Sequence, residues 1–274
     1  MLVHGILYFR LNRNIVRVTG FNLLSGLLVI TAGVIARRGG ALQAGGGELW
    51  ALYGLWALAL VVQVGSPLIV HPRGRFEIQP PHFVERHGAL VIVAIGESVA
   101  AIGIGARGER IGLPLIIASV LGLALAAVLW WAYFATGDGD RAEETLTRAA
   151  GTNRPALALS AFFHPHIPIL PGVVLVAAGT TAAIRDSGQA PAAAALSLGG
   201  GAALFFGGQA AFRRALRTGP LRPPVACGVF ALATTAVGVT VTIEIQLAVL
   251  AAGLAAALAA AGRAAAAPAA SAAA

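Results

Sequence analysis

Long apolar segments alternate with short polar loops along most of this chain. Each segment is close to the twenty or so residues that an α-helix needs to cross the hydrocarbon core of a bilayer. The pattern therefore predicts an all-α fold, a polytopic integral membrane helix bundle of about eight transmembrane helices. The predicted spans are 20–36, 49–70, 90–106, 111–135, 155–184, 191–212, 224–243 and 245–261.

The last two apolar segments are separated only by the region around Glu244. Two readings stay open at this point. Either the segments form a tight hairpin with Glu244 at its turn, or they form one long span followed by a surface piece. In the second case Glu244 is an acid at membrane depth.

Three domain segments follow from the pattern. Residues 1–18 carry Arg10, Arg13 and Arg17 at helical spacing, which is typical of an amphipathic segment lying on a membrane surface. Residues 19–262 form the predicted transmembrane helical domain. Residues 263–274 are almost entirely alanine, and we expect a disordered tail.

Composition agrees with a membrane location. The chain is 58% hydrophobic and 11% charged, whereas soluble domains carry about 25% charged residues. The net charge is +8, and all nineteen basic residues are arginine. Most lie in alternate loops, and only five lie in the loops of the other side. The positive-inside rule then predicts a multi-pass protein of the cell membrane with both termini in the cytoplasm. Because this topology explains the positive charge, we expect no nucleic-acid partner.

One acid, Glu97, lies inside the apolar segment 90–106. A charge at bilayer depth costs about 2.5–3.5 kcal/mol on insertion scales and marks a candidate functional site by default. Arg86 precedes it by about three turns, roughly 16 Å, so the two cannot pair on one continuous helix. Glu97, with Ser98 beside it, is therefore a candidate ion or proton site. The alternative is a structural acid paired with a group on another helix.

The sequence HPHIPILP at residues 164–171 is the second unusual feature. Three prolines at three-residue spacing predict a broken helix, because each removes a backbone hydrogen bond and clashes with the preceding turn. Broken helices often mark binding sites in transporters. His164 and His166 are therefore candidate ligand or proton-binding groups, together with Glu97 and Ser98. The alternative is a proline kink with both histidines hydrogen-bonded in the bundle.

His82, Glu85 and Arg86 share one face of a helical turn that begins after two prolines. A His-x-x-Glu pair contributes to metal sites in helix bundles, but only with ligands from other helices. We favour a paired first turn and assign no metal site. The acids of residues 136–154 predict a solvated turn with a short helix at 141–148, with a divalent-cation site as the less favoured alternative.

Residues 82–98, HFVERHGALVIVAIGES, resemble a signature of the bacterial low-temperature-requirement A (LtrA) family. WWAYF at 130–134, RAEE at 141–144 and HPHIPILPG at 164–172 are also similar to that family. The resemblance runs from about residue 10 to 262 and implies a membrane protein associated with growth in the cold. It transfers no catalytic residues. The matching motif positions are His82, Glu85, Arg86, Gly96, Glu97 and Ser98.

The chain departs from that family in lacking a Phe-Phe-Asp-Leu-type motif, from which we expect its usual N-terminal spans to be missing. We expect an LtrA-like protein that binds or moves a small ion, proton or solute. A structural or sensory component of cold or stress growth is the alternative, and a membrane enzyme acting on lipid is a further one. Enzymatic activity, catalytic residues and cofactors are not expected. The expected partners are the lipid bilayer and a small ion or solute, with a homo-oligomer left open.

Overall fold

The computed structural model describes residues 13–38, 46–69, 78–150, 153–185 and 191–271. The chain divides into two compact units, residues 1–75 and 76–274. This boundary falls inside the single transmembrane domain predicted for 19–262. The described residues are helical or lie in short turns, and no strand occurs among them. The predicted fold class, an all-α membrane bundle, is confirmed.

The first unit contains helices α1 (Arg13–Arg38) and α2 (Gly46–Ile69), which pack against each other. Polar side chains join them: Ser25 donates a hydrogen bond to Oε1 of Gln63 at 2.9 Å, and Gln63 Nε2 donates to Oδ1 of Asn22 at 3.2 Å. Such interhelical hydrogen bonds stabilise helix pairs in membranes. Because α1 begins at Arg13, only part of the predicted amphipathic segment lies within the described residues.

The second unit holds the remaining helices. Their bounds are α3 (Pro80–Gly105), α4 (Leu113–Phe134), α5 (Asp138–Arg148), α6 (Arg154–Ala158), α7 (His164–Arg185), α8 (Ala192–Leu216), α9 (Arg222–Ala233), α10 (Thr235–Thr240) and α11 (Ile243–Ser271). A π-helical turn, Leu159–Phe163, joins α6 to α7. α11 continues to Ser271 and so includes most of the segment predicted as a disordered tail.

Seven helical segments of the described chain, one of them formed by α9 and α10 together, are long and apolar enough to cross a membrane. They correspond to all of the predicted spans except 49–70, where the described apolar part of α2, Trp50–Ser66, is shorter. The last two apolar segments form a hairpin rather than one span. Gly238 lies against Gln246 and Gly253 lies against Phe230, which is the register of two antiparallel helices joined at Val241 and Thr242. Glu244 is therefore in the first turn of α11.

Close helix contacts at glycine organise the centre of the second unit. A Cβ added at Gly172 of α7 would lie 2.7 Å from the carbonyl oxygen of Gly201 in α8. A Cβ at Gly208 would lie equally close to the carbonyl of Pro165. Small residues let membrane helices approach each other in this way. The antiparallel pair α7–α8 is thereby fixed at its centre and at one end.

The prediction of a broken helix at 164–171 is wrong. α7 is continuous through Pro168 and Pro171, and the irregularity is the π-helical turn that ends just before it. Pro165 cannot donate the backbone hydrogen bond that would close a regular turn there, and a wider turn removes the clash of its ring with the preceding backbone. The proline spacing therefore widens one turn of the helix without interrupting the span.

Helices α3 and α7 run parallel, with the antiparallel α4 beside both. The Ser98 hydroxyl of α3 is 3.5 Å from the carbonyl oxygen of Val173, and Thr181 donates to the carbonyl of Ala101 at 3.3 Å. Gly122 of α4 is in contact with Thr180. This arrangement brings the start of α3, the end of α4, all of α5 and the end of α8 to one end of the unit.

Candidate functional site

His166 is held by two hydrogen bonds at that end of the unit. Its Nδ1 lies 2.6 Å from the carbonyl oxygen of Phe162, in the π-helical turn, and its Nε2 lies 2.8 Å from the hydroxyl of Tyr133. A carbonyl can only accept, so we assign the ring proton to Nδ1. Tyr133 must then donate to Nε2. Because the hydroxyl proton of Tyr133 is used in this hydrogen bond, its oxygen can act toward a ligand only as an acceptor.

Aromatic rings surround this pair. The His87 ring of α3 is 5.2 Å from the His166 ring, and His87 Nδ1 lies 2.8 Å from the carbonyl oxygen of Phe83. The Phe162 ring contacts Phe83 at 5.1 Å and Phe212 at 5.0 Å, both edge-to-face. Such pairs each add about 0.5–1.5 kcal/mol beyond their buried area. The ring contacts of this aromatic cluster pack α3, α7 and α8 against one another at the end of the unit that holds His166.

A cavity of about 430 Å³ opens beside the cluster, between α3, α4, α5, α7 and α8. We call it the acidic cavity, because every charged residue that lines it in the described chain is a carboxylate: Glu85, Asp138, Asp140 and Glu143. The rest of its wall is mostly apolar and aromatic, and it includes Phe134, Phe162 and Phe212. Tyr133, whose hydroxyl is bonded to His166, also lines this space.

Asp138 is the one carboxylate of the cavity that is buried. Its Oδ2 accepts from Nε of Arg213 at 2.7 Å and from the hydroxyl of Thr136 at 3.0 Å. Its Oδ1 accepts from Arg141 at 2.9 Å. Gly137, at φ 70°, makes the turn that brings Asp138 to the start of α5. The prediction of a fully solvated acidic turn is therefore wrong for this residue, although the short helix itself is present.

A second cavity, of about 830 Å³, lies on the other side of this ion pair, between α4, α8, α9 and α11. We call it the arginine cavity, because Arg141, Arg213 and Arg263 line it. Asp138 lines only the acidic cavity, Arg213 lines only the arginine cavity, and Gln209 lines both. These three residues form what we call the dividing wall.

The four predicted site residues do not come together. His166 is buried in the cluster, whereas His164 is half-buried and contacts the ring of Phe163. Ser98 is buried against Val173, about 16 Å along α3 from His87. Glu97 is exposed on the surface of α3 and has no hydrogen bond or ion pair within the described residues. That Glu97 and Ser98 bind an ion or proton stays a prediction.

The motif residues occupy the first turns of α3 and its exposed side. His82 and Glu85 are in contact at 3.4 Å, and both side chains are mostly exposed. Arg86 and Gly96 are exposed as well, and a Cβ at Gly96 would meet nothing within 4 Å. Among the described residues no group of three or more His, Cys, Asp or Glu side chains is placed to hold a metal ion.

Several residues of the site were not predicted from the sequence. Tyr133 and His87 lie inside the quoted family motifs but were not singled out. Gln209 and Arg213 are polar residues within one apolar helix, and that isolation was the available signal. Nothing in the sequence indicates that Arg213 pairs with Asp138, since the two lie on helices that are distant along the chain.

Comparison with known proteins identifies the family. The profile described as "Bacterial low temperature requirement A protein (LtrA)" matches residues 1–261, nearly the whole chain. The chain belongs to the LtrA family. A relative of this LtrA chain, an uncharacterized protein of Rhizobium meliloti (strain 1021), is 29% identical over 136 residues. That match covers 46% of this chain and 32% of the relative. No solved structure matches.

Family membership and the apolar helices together make this a multi-pass membrane protein of the LtrA kind. The resemblance stated from residues 82–98 is thereby confirmed. The LtrA chain spans about a third of the length of the relative that it matches, so the activity and partners of longer relatives do not pass to it directly.

Proposed function

We propose that this LtrA chain binds a small organic cation in the acidic cavity and moves it, or responds to it, across the cell membrane. The observation that carries the proposal is the charge of the lining. Four carboxylates face the cavity, and the described lining contains no arginine, lysine or histidine. A cleft lined by charge of one sign concentrates ligands of the opposite sign.

The walls favour an organic cation over a bare metal ion. Phe134, Phe162 and Tyr133 present ring surfaces, which attract ammonium groups with about 0.5–2 kcal/mol. The volume is in the range of small-molecule sites and exceeds what one desolvated ion fills. Alkali and alkaline-earth ions require a cage of oxygen atoms, and in the described lining the acids alternate with apolar groups.

Two lining groups differ in availability. Both oxygens of Asp138 are already engaged by arginines, so its charge is neutralised within the dividing wall. Glu143 is half-buried and has no ion-pair partner among the described residues. Glu143 and the oxygen of Tyr133 are therefore the groups we assign to cation binding, with His166 as the residue that orients Tyr133.

The membrane orientation of this proposal follows from the arginine distribution. The acidic cavity lies at the end of the second unit to which the positive-inside rule assigns the cytoplasm. The cavity would accordingly open toward the cytoplasmic side of the cell membrane, with both termini on that side. Glu97 lies about 12 Å from the other end of α3, so a role for it in translocation would be separate from binding in the cavity.

The experiment compares choline with its uncharged isostere 3,3-dimethyl-1-butanol on the purified full chain in lipid nanodiscs. Binding is measured by isothermal titration calorimetry. We expect choline to bind at least tenfold more tightly than the alcohol, because only choline carries the charge. Glu143→Gln should weaken choline binding about fivefold, which corresponds to about 1 kcal/mol for one partly buried charge.

Glu144→Gln is the matched control. Glu144 is the next residue of α5, pairs with Arg148 at 2.9 Å and does not line the cavity. It should leave choline affinity unchanged. Equal binding of choline and the alcohol, or equal effects of the two substitutions, would contradict the proposal and favour a structural role without cation binding.

A further inference from the structure

The arginine cavity has a charge opposite to that of the site just described. Arg141, Arg213 and Arg263 line it, and no aspartate or glutamate lines it in the described chain. Asp138, which lines the acidic cavity, pairs with both Arg141 and Arg213 and neutralises one of their two positive charges. Arg263 makes no hydrogen bond or ion pair within the described residues. The cavity therefore keeps a net positive charge.

Two buried polar groups in the lining of this cavity have no partner. Nε2 of Gln209 and Oγ1 of Thr218 make no hydrogen bond in the part of the chain that the structure describes, although Gln209 is only 6% exposed and Thr218 only 8%. Buried polar atoms are nearly always paired in native structures, and each exception calls for an unseen partner. The Gln209 amide nitrogen is a donor and the Thr218 hydroxyl can donate, so a side-chain rotation toward the cavity would let either serve an anion.

The remaining walls are apolar and belong to membrane-spanning helices. Trp131 of α4, Phe206 of α8 and Leu258 of α11 line the cavity. It lies at the end of these spans, in the part of the chain where the arginines collect. Basic pockets between transmembrane helices on the cytoplasmic side are typical binding places for anionic lipid headgroups.

From these observations we infer that the arginine cavity binds a phosphate group, with Arg263, Thr218 and Gln209 as its donors. Guanidinium groups match phosphate oxygens in geometry and charge. The phosphate can belong to an anionic phospholipid, whose acyl chains the apolar walls would accept, or to free inorganic phosphate. This site is distinct from the acidic cavity and does not depend on cation binding there.

The test uses the full chain in nanodiscs of phosphatidylcholine, with or without phosphatidylglycerol, and native mass spectrometry to count retained lipids. The wild type should retain phosphatidylglycerol in preference to phosphatidylcholine. Arg263→Gln should weaken that preference about fivefold, since one arginine near a membrane surface contributes about that factor. Arg214→Gln, which removes an exposed charge at the same end but outside the lining, is the matched control and should have little effect.

Thr218→Val separates binding from structure. Because Oγ1 has no partner within the described residues, its removal should leave thermal stability unchanged or raise it. It should nevertheless weaken phosphatidylglycerol retention about tenfold if the hydroxyl donates to a charged phosphate oxygen. A variant that loses stability without losing lipid preference would contradict the inference.

A second arm identifies the source of the phosphate. Inorganic phosphate is titrated into phosphatidylcholine nanodiscs at constant ionic strength, and thermal stabilisation is measured. Saturable stabilisation that Thr218→Val removes would support the site with free phosphate as its ligand. The absence of any preference for phosphatidylglycerol or for inorganic phosphate, or equal losses in Arg263→Gln and Arg214→Gln, would overturn the inference.

Discussion

The acidic and arginine cavities meet at the dividing wall, but they carry opposite charges. The carboxylate of Asp138 faces one and the guanidinium of Arg213 faces the other, and the two groups are 2.7 Å apart. Neither residue is a free charge. What differs is the set of groups that have no partner within the described residues: Asp140 and Glu143 on the acidic side, and Arg263 with two buried polar atoms on the other. The comparison shows that a buried ion pair lies between two cavities of opposite charge within one bundle.

The largest effect should come from removing one half of that ion pair. Asp138→Ala leaves Arg213 buried and without its carboxylate, so we expect the free energy of unfolding to fall by about 3–5 kcal/mol. Chemical denaturation in detergent, followed by tryptophan fluorescence, measures it. Asp140→Ala, at an exposed position of the same helix, should change stability by less than about 0.5 kcal/mol.

A double substitution sharpens this prediction. Asp138→Leu combined with Arg213→Met removes both charges and replaces them with apolar groups. The double variant should be more stable than the sum of the two single effects predicts, because no unpaired charge remains. If the two single effects simply add, Asp138 and Arg213 do not stabilise each other, and the ion pair does not hold the dividing wall together.

The position of the wall depends on the close contact of α7 and α8 beside Gln209. Gly208→Ala puts a Cβ against the Pro165 carbonyl and should destabilise the bundle by about 1–3 kcal/mol. Gly207→Ala, one residue earlier, meets nothing within 4 Å and should be neutral or slightly stabilising. Thermal unfolding of the two variants side by side distinguishes packing from helix propensity.

Much of this architecture is readable from the sequence because a bilayer fixes the length of apolar helices. The spans other than 49–70 and one of the two readings of the last segments followed from segment length and turn residues, and so did the short helix, predicted at 141–148 and observed at Asp138–Arg148. The contacts between distant spans did not. In a soluble helix an apolar stripe identifies the buried face, whereas these helices are apolar on every side and the stripe is absent.

Glu97 illustrates that limit. As an acid within an apolar segment it was expected either to bind an ion or proton or to pair with a group on another helix, yet its side chain is exposed on α3 and has no ion pair within the described residues. The prolines illustrate another limit: their spacing indicates an irregular backbone but does not distinguish a broken helix from a widened turn. Asp138 and Arg213 were both visible as charges, but only the folded chain shows that they meet.

Tyr133→Phe tests one side of the comparison alone. It removes the hydrogen bond to His166 and leaves His166 Nε2 without a donor, so the unfolding free energy should fall by about 1 kcal/mol. Choline affinity should fall with it, because the substitution removes the oxygen that we assign to cation binding. Phosphatidylglycerol retention should stay at the wild-type level, since Tyr133 does not line the arginine cavity. If choline affinity and phosphatidylglycerol retention both fall, the two cavities do not bind their ligands independently.

The smallest expected effect is that of ionic strength on the acidic cavity. Glu85 and Asp140 at its lining are exposed, so salt should screen their attraction for a cation. Choline affinity should fall roughly twofold to fivefold between 0.05 and 0.5 M sodium chloride. If choline affinity does not change with salt, the aromatic rings bind choline and the carboxylates do not contribute.

The separation of the two cavities is tested most directly by crossing their variants with their ligands. Choline affinity and phosphatidylglycerol retention are measured in parallel for the wild type, Glu143→Gln and Arg263→Gln in nanodiscs. We predict that Glu143→Gln weakens only choline binding and that Arg263→Gln weakens only phosphatidylglycerol retention. If either substitution weakens both ligands to the same extent, Asp138, Arg213 and Gln209 do not divide two independent sites.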